Sequence, residues 1–133
     1  MITGGCACGA IRYQSDGAPQ FSVFCHCRDC QKASGSDGVP VMGVAREGFK
    51  VTGEPARYVT RGGSQKDAIR YFCPACGSLL FGSPQVIPDT ITIYVGSLDD
   101  PTAFAPQLSM FVRDRPAWGR IAAGLPEFAT VPQ

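Results

Sequence analysis

The sequence predicts a mainly β domain that is built from short strands in antiparallel sheets. Sixteen glycines and eleven prolines are spread along the 133 residues, which leaves little room for helices of ordinary length. The segment TITIYVGSL, residues 90–98, alternates Ile91, Ile93 and Val95 with threonine and tyrosine, as a strand with one buried face does. Candidate strands recur about every ten residues, a spacing that is typical of antiparallel sheets.

Six further segments carry weaker strand patterns, and two short stretches favour helical turns. The strands are expected at 10–14, 39–45, 49–53, 56–60, 69–73 and 108–113. The helical turns are expected at 29–34 and 117–124, the second of which ends because Gly124 can cap it and Pro126 cannot continue it. No repeat, low-complexity tract or linker interrupts the chain, so we expect a single domain over residues 1–133.

Composition limits the classes of function. Apolar residues make up 44% of the chain and charged residues 17%, as in globular proteins, and no apolar run approaches the roughly 20 residues of a membrane helix. Twelve basic and eleven acidic side chains leave a net charge of +1 without a basic run, so we expect no nucleic acid and no membrane as partner. The first residues lack the pattern of a secretory signal, and a cytoplasmic location is therefore expected.

Seven cysteines carry the functional signal. An odd number cannot be fully paired within one chain, and a reducing cytoplasm disfavours disulfides, so metal binding is the leading interpretation. The cysteines fall in three groups, which are Cys6 and Cys8, then Cys25, Cys27 and Cys30, then Cys73 and Cys76. Cysteines one or two residues apart can direct both sulfurs at one ion about 2.3 Å away, and four thiolates make a closed tetrahedral zinc site.

Spacing alone leaves two ways to combine these groups. One joins Cys27 and Cys30 to Cys73 and Cys76 as in a zinc ribbon, but 42 residues intervene where about 15 to 20 are usual, and three cysteines are left without a role. The other joins the first pair to the last pair and leaves the middle group as a second site with three sulfurs. That arrangement gives a role to all seven cysteines. Three protein ligands with an open fourth position are typical of catalytic zinc.

His26 is the single histidine of the chain, and it lies between Cys25 and Cys27. Zinc accepts histidine nitrogen, so this residue could close the second site and make both sites purely structural. In an extended segment, however, its side chain points away from those of its two neighbours. We therefore expect His26 not to be a ligand.

Five segments together resemble one known family. They are GGCACGAIRY, CHCRDCQKASGS, RYFCPACGSLLF, VGSLDDP and RPAW, within a match that runs from about Gly4 to Phe128. Their order is similar to that of the glutathione-dependent formaldehyde-activating enzyme family, whose domain also occurs in centromere protein V. The resemblance implies an Mss4-like (β-tent) fold of mainly antiparallel β-structure.

The resemblance also implies two zinc ions (Zn²⁺) per chain. The structural zinc is held by the C-x-C and C-P-x-C motifs, which here are Cys6, Cys8, Cys73 and Cys76. The catalytic zinc is held by the C-H-C-x-x-C motif, which here supplies Cys25, Cys27 and Cys30.

The activity that the family implies is that of a carbon-sulfur lyase, which forms S-(hydroxymethyl)glutathione from formaldehyde and glutathione. The partners would be a small-molecule thiol such as glutathione and an aldehyde. The open position on zinc could hold the thiol as thiolate for attack on the aldehyde carbon, or the ion could polarise the aldehyde oxygen, and the sequence does not decide between the two. The sequence also does not indicate the oligomeric state.

Two rival interpretations belong to other classes of protein. The Mss4-like fold also serves as a non-catalytic, zinc-stabilised interaction module, and fold does not determine function. A redox protein would use Cys27 and Cys30 as a metal-free dithiol, which the neighbouring Cys25 disfavours.

Several polar side chains have both a functional and a structural interpretation. Asp29 could orient a zinc ligand from beside the second motif. Asp99 and Asp100 could position substrate or a proton, although an aspartate before a proline is typical of a turn. Arg113 and Arg115 could meet the carboxylates of a glutathione-like ligand, or simply face solvent.

Three aromatic side chains toward the end of the chain, Phe104, Trp118 and Phe128, are expected in the core, because aromatic residues carry the largest buried area in small domains. In the same region many relatives have histidine and tryptophan where this chain has Ser109 and Phe111.

Overall fold

A computed structural model describes residues 1–119 and 124–132. In this part of the chain the strands are β1 Ile2–Gly5, β2 Arg12–Ser15, β3 Phe21–Cys25, β4 Val39–Ala45, β5 Phe49–Thr52, β6 Ala56–Arg61, β7 Asp67–Phe72, β8 Leu79–Pro84, β9 Thr90–Tyr94 and β10 Leu108–Met110. Helix α1 is Arg28–Ser34, and short 3₁₀ turns lie at Val95–Ser97, Pro101–Ala103 and Val112–Asp114. The predicted mainly β class with short helical turns is confirmed.

The strands form two sheets. The small sheet has the order β1-β2-β5, and the large one has the order β10-β3-β4-β9-β8-β7-β6. Neighbouring strands are antiparallel throughout, except that β10 runs parallel to β3, with Ser109 opposite Phe24. Strand β10 follows β9 in sequence, but β4 and β3 lie between them in the large sheet, so a hairpin turn cannot join the two. The segment between β9 and β10, with its two 3₁₀ turns, makes this crossover.

The predicted elements fit the structure unevenly. Strand β4 has the predicted bounds 39–45, and the helical turn predicted at 29–34 is α1. The strand predicted at 108–113 is too long, because Phe111 has a left-handed backbone with φ of 56° and a 3₁₀ turn follows it. The helical turn predicted at 117–124 lies partly outside the described residues.

The alternation of β9 places its two faces in different surroundings. Ile91 and Ile93 are buried in a core cluster that also contains Leu80. Thr92 and Tyr94 point to the opposite face of the large sheet and line a cleft there. A second apolar cluster around Val23, Val41 and Phe111 borders that cleft and includes Cys25 and Cys27.

The aromatic side chains at the end of the chain are less buried than expected. The prediction for Trp118 is wrong, since 69% of this residue is exposed. It lies in a turn after the last 3₁₀ segment, outside the strands of both sheets. Phe104 is half-buried against the first core cluster, and Phe128 is also half-buried. No described helix has the length and apolar character needed to span a bilayer.

Candidate metal centres

The seven cysteines are free thiols that the fold collects into two groups. The first centre contains Cys6, Cys8, Cys73 and Cys76. The second centre contains Cys25, Cys27 and Cys30. Within each centre all Sγ atoms lie within 4.8 Å of one another, so each could hold a metal ion. The zinc-ribbon combination, which mixes residues of the two groups, does not correspond to this geometry.

Sulfur spacing in the first centre fits a tetrahedral zinc ion. The Sγ atom of Cys8 lies 3.6 Å from that of Cys6 and 3.8 Å from that of Cys73. Four sulfurs at zinc bonds of about 2.3 Å in a tetrahedron are separated by about 3.8 Å. The donor set and its spacing therefore suit a closed zinc site.

Two backbone turns shape the first centre. The amide of Gly9 donates to the carbonyl of Cys6 at 3.1 Å, and that of Gly77 donates to the carbonyl of Cys73 at 2.8 Å. Both glycines have the positive φ that other residues adopt only with strain, 81° and 77°. A hydroxyl contact from Ser78, 3.2 Å from the Cys76 sulfur, lowers the pKa of that thiol to about 5 and favours the thiolate that a metal requires.

The second centre lies where a strand meets a helix. Cys25 is the last residue of β3, and Cys27 caps α1 with an extended backbone. Its sulfur accepts a hydrogen bond from the amide of Cys30 at 3.4 Å, in the first turn of the helix. Cys25 and Cys27 are buried, and Cys30 is partly exposed.

Contacts within the second centre concentrate negative charge on one sulfur. The thiols of Cys25 and then Cys30 donate to Cys27 and lower its pKa to about 2, with help from the amides of Cys30 and Gly63. The contact with Cys27 raises the pKa of Cys25 to about 12, and contacts with Cys25 and Cys27 raise that of Cys30 well above its usual range. These contacts favour negative charge on Cys27 over Cys25 and Cys30, and a metal that binds all three sulfurs as thiolates must displace their protons.

His26 is held away from these sulfurs. Its side chain is fully buried, and Nδ1 donates to the carbonyl oxygen of Asp37 at 3.0 Å. The ring stacks on Phe24 with centroids 6.5 Å apart. No nitrogen of His26 belongs to the second centre, which has three cysteine sulfurs from the described chain as ligand atoms.

A cleft of about 600 Å³ opens beside the second centre, on the face of the large sheet to which Thr92 and Tyr94 point. All three sulfur-bearing residues line it, so a molecule in the cleft can reach them. Burial and then the nearby Cys30 sulfur raise the pKa of the Tyr94 phenol, which therefore stays protonated and can act as a neutral donor. Sequence reasoning missed Tyr94, although the single aromatic residue on the polar face of TITIY was a signal.

Comparison with known proteins identifies relatives of this chain. The family model described as glutathione-dependent formaldehyde-activating enzyme matches residues 1–114. The chain belongs to this family. The match spans both cysteine centres. No curated protein matches the chain. A solved Rhodobacter sphaeroides protein has a similar fold, with a TM-score of 0.58 and 16% identity over 95% of this chain and 98% of that one.

In this family member Asp29 joins the helix of the second centre to the edge of the large sheet. Its carboxylate lies 2.6 Å from Nη2 of Arg70 on β7 and accepts from Thr60 of β6 at 3.1 Å. The two charged side chains are 26% and 14% exposed. The carboxylate is thus engaged by an arginine and a threonine, and it supports the second centre through the position of α1.

Asp99 and Asp100 have structural contacts. Asp99 forms an ion pair with Arg12 and accepts from the hydroxyl of Thr3 at 2.7 Å. Asp100 accepts from the amide of Thr102 at 3.1 Å and so caps the following 3₁₀ turn. Neither aspartate is among the described residues that line the cleft, so the structural interpretation of this pair is favoured.

Arg113 and Arg115 likewise interact with neighbouring side chains. Arg115 pairs with Glu127 at 2.6 Å. Arg113 lies 3.8 Å from Asp114, and its guanidinium sits over the Phe111 ring at 5.8 Å. Neither arginine is a described cleft-lining residue, so the expectation that they meet carboxylates of a ligand has no support in the geometry.

Proposed function

We propose that this protein is a zinc-dependent enzyme of carbon-sulfur lyase type, which forms and cleaves adducts of a small thiol and an aldehyde. The reaction implied by the family is formation of S-(hydroxymethyl)glutathione from formaldehyde and glutathione. The observation that carries the proposal is the position of Cys25, Cys27 and Cys30, which form a three-sulfur group on the wall of a ligand-sized cleft.

The two centres take different roles in this proposal. Four sulfurs at tetrahedral spacing suit a closed structural zinc at the first centre. Three sulfurs beside a cleft suit a catalytic zinc at the second centre, where the ion would supply an open position for a thiol sulfur or an aldehyde oxygen and would lower the pKa of a bound thiol. Seven free thiols also fit a reducing compartment, and we place the protein in the cytoplasm.

The chain's own groups prepare the second centre for this chemistry. The amides of Cys30 and Gly63 stabilise negative charge on Cys27, and the apolar cluster around the sulfurs strengthens these electrostatic interactions. In the reaction the thiol sulfur forms a bond to the aldehyde carbon, the carbonyl π electrons move to oxygen, and the thiol proton ends on that oxygen. Tyr94 lines the same cleft as a neutral phenol and can donate a hydrogen bond to the developing alkoxide.

The test compares the exchange between free formaldehyde and its glutathione adduct, measured by NMR with labelled formaldehyde. The adduct also forms spontaneously, so the rate without protein is the reference. We expect acceleration by the zinc-loaded wild type and loss of that acceleration in Cys30→Ser. Equal rates for the two proteins, or no acceleration over the reference, would rule out glutathione with formaldehyde as the substrate pair. The same result with other thiols and aldehydes would rule out the enzymatic role and favour a zinc-stabilised interaction module.

A further inference from the structure

The cleft beside the second centre is unusually apolar for a site that would take a charged tripeptide. Its walls include Val23, Val41, Ile69, Leu108, Met110 and Phe111. Its volume of about 600 Å³ lies in the range of about 300 to 1,000 Å³ that is common for small-molecule sites. We infer that the adduct handled at the second centre carries an alkyl or aryl group, and that this group occupies the cleft; the inference rests on the proposed function.

Charge in the cleft supports this substrate class. Apart from the cysteines of the second centre, Asp29 is the one charged side chain among the lining residues that the structure describes, and Arg70 and Thr60 already engage its carboxylate. Glutathione carries two carboxylates, which would need cationic or strong hydrogen-bonding partners on leaving water. No arginine or lysine of the described lining offers such a partner, whereas an uncharged hydrocarbon group needs none.

The mouth of the cleft is apolar as well. Val86 and Ile87, in the turn between β8 and β9, line the cleft while 47% and 37% exposed, and Val131 lines it while 46% exposed. Single exposed apolar residues are ordinary, but these three line the same cleft and leave apolar surface exposed where the cleft meets solvent. An entering hydrocarbon group would cover these side chains and bury their surface, which supplies a driving force for binding.

The first experiment measures binding of n-alkanols, from ethanol to octanol, to the zinc-loaded full chain by calorimetry. These probes contain neither thiol nor aldehyde, so the result does not depend on any reaction. We expect the affinity to rise about threefold to fourfold for each added methylene group while the chain fits the cleft. An affinity that does not change with chain length would overturn the inference.

Variants locate the binding. Ile87→Asp and Val86→Asp place a charge at the mouth and should each weaken hexanol binding by about tenfold, because the hydrocarbon would lie against a carboxylate. Val51→Asp is the matched control, since Val51 is also 37% exposed but lies on β5 of the small sheet. The control should bind hexanol as wild type does. Equal loss in all three variants would contradict binding in the cleft.

A second experiment assigns the apolar group to one partner of the adduct and separates this inference from the proposed function. One arm varies the aldehyde from formaldehyde to hexanal with 2-mercaptoethanol, and the other varies the thiol up to hexanethiol with formaldehyde. Acceleration that grows with chain length in either arm supports the inference and identifies the partner that carries the group. Acceleration without length dependence overturns the inference and leaves the proposed function standing. Chain-length-dependent alkanol binding without acceleration of any adduct overturns the proposed function and leaves the cleft as a binding site for an apolar group.

Discussion

A Cβ atom at Gly63 would lie 2.7 Å from Cε1 of Phe111. The turn between β6 and β7 is therefore packed directly on the aromatic ring that borders the second centre. The same Cβ would lie 3.2 Å from Cβ of Cys27, whose sulfur accepts a hydrogen bond from the Gly63 amide. Two close approaches, one to the ring of Phe111 and one to the Cβ atom of Cys27, thus favour a residue without a side chain at this position.

Gly63→Ala should disturb the second centre. The added methyl group must displace the ring of Phe111 or the side chain of Cys27, which is expected to cost about 1 to 3 kcal/mol of unfolding free energy and to weaken zinc binding at that centre about tenfold. Gly62→Ala is the control, because its Cβ would meet Cβ of Ala68 at 3.7 Å, an ordinary contact. Metal analysis after dialysis against a weak chelator checks both variants, and equal zinc loss in the two would contradict this account.

Asp29→Asn should destabilise the protein by about 1 to 3 kcal/mol, because it leaves the largely buried Arg70 without its anionic partner. Asp67→Asn is the control, because it removes an ion pair that is exposed to solvent. Asp67 lies 3.6 Å from Arg61, and the side chains of Arg61 and Asp67 are 68% and 58% exposed. That control should change the unfolding free energy by less than about 1 kcal/mol. Urea unfolding of both variants is the measurement, and similar losses would show that burial does not set the cost.

Substitutions in the two centres should have different consequences. Cys73→Ser removes a fully buried sulfur from the first centre, so we expect loss of one zinc and a large drop in the urea midpoint, since structural zinc contributes directly to folding. Cys30→Ser should also lose one zinc, yet retain most of the stability. The measurements are zinc per chain and the urea midpoint, and equal destabilisation would argue against distinct structural and catalytic roles.

Tyr13→Phe should make the protein less sensitive to alkaline pH. Burial raises the pKa of Tyr13 to about 12, above its ordinary value of about 10. At pH values between these two, Tyr13 is ionised in the unfolded chain but not in the folded protein. The unfolding free energy of the wild type therefore falls as pH rises from about 10 to 12, by up to about 1.4 kcal/mol per pH unit. The variant lacks this loss, although at pH 7 it forfeits the 2.7 Å hydrogen bond with Ser97, worth about 1 kcal/mol.

Urea unfolding of wild type and Tyr13→Phe at several pH values gives the comparison. Parallel pH profiles for the two proteins would show that Tyr13 ionises in the folded state at its ordinary pKa.

The sequence was most informative where the pattern is local. The alternation in β9 and the apolar run of β4 predicted strands that the structure contains. The strand Ile2–Gly5 was missed because two of its four residues are glycines, which have low strand propensity. The exposed Trp118 was missed because its burial depends on whether any strand passes over it, which no local pattern reports.

The candidate site was predictable in its ligand atoms and unpredictable in its surroundings. Motif order grouped the sulfurs, and the flanking of His26 by two cysteines in an extended segment indicated that its ring would point elsewhere. The cleft depends on residues far apart in sequence, such as Gly63, Tyr94 and Met110, which only the strand order brings together. Its apolar character could not be read from any one segment.

The central claim is that the second centre holds a metal with one position open to a thiol. Cobalt(II) substitution tests it directly, because a thiolate bound to cobalt gives a charge-transfer absorption. We expect the absorption of the cobalt-loaded wild type to increase on titration with thiol and to saturate at one thiol per chain, and Cys30→Ser to lack the increase. An unchanged spectrum in the wild type, with both centres loaded, would contradict the claim.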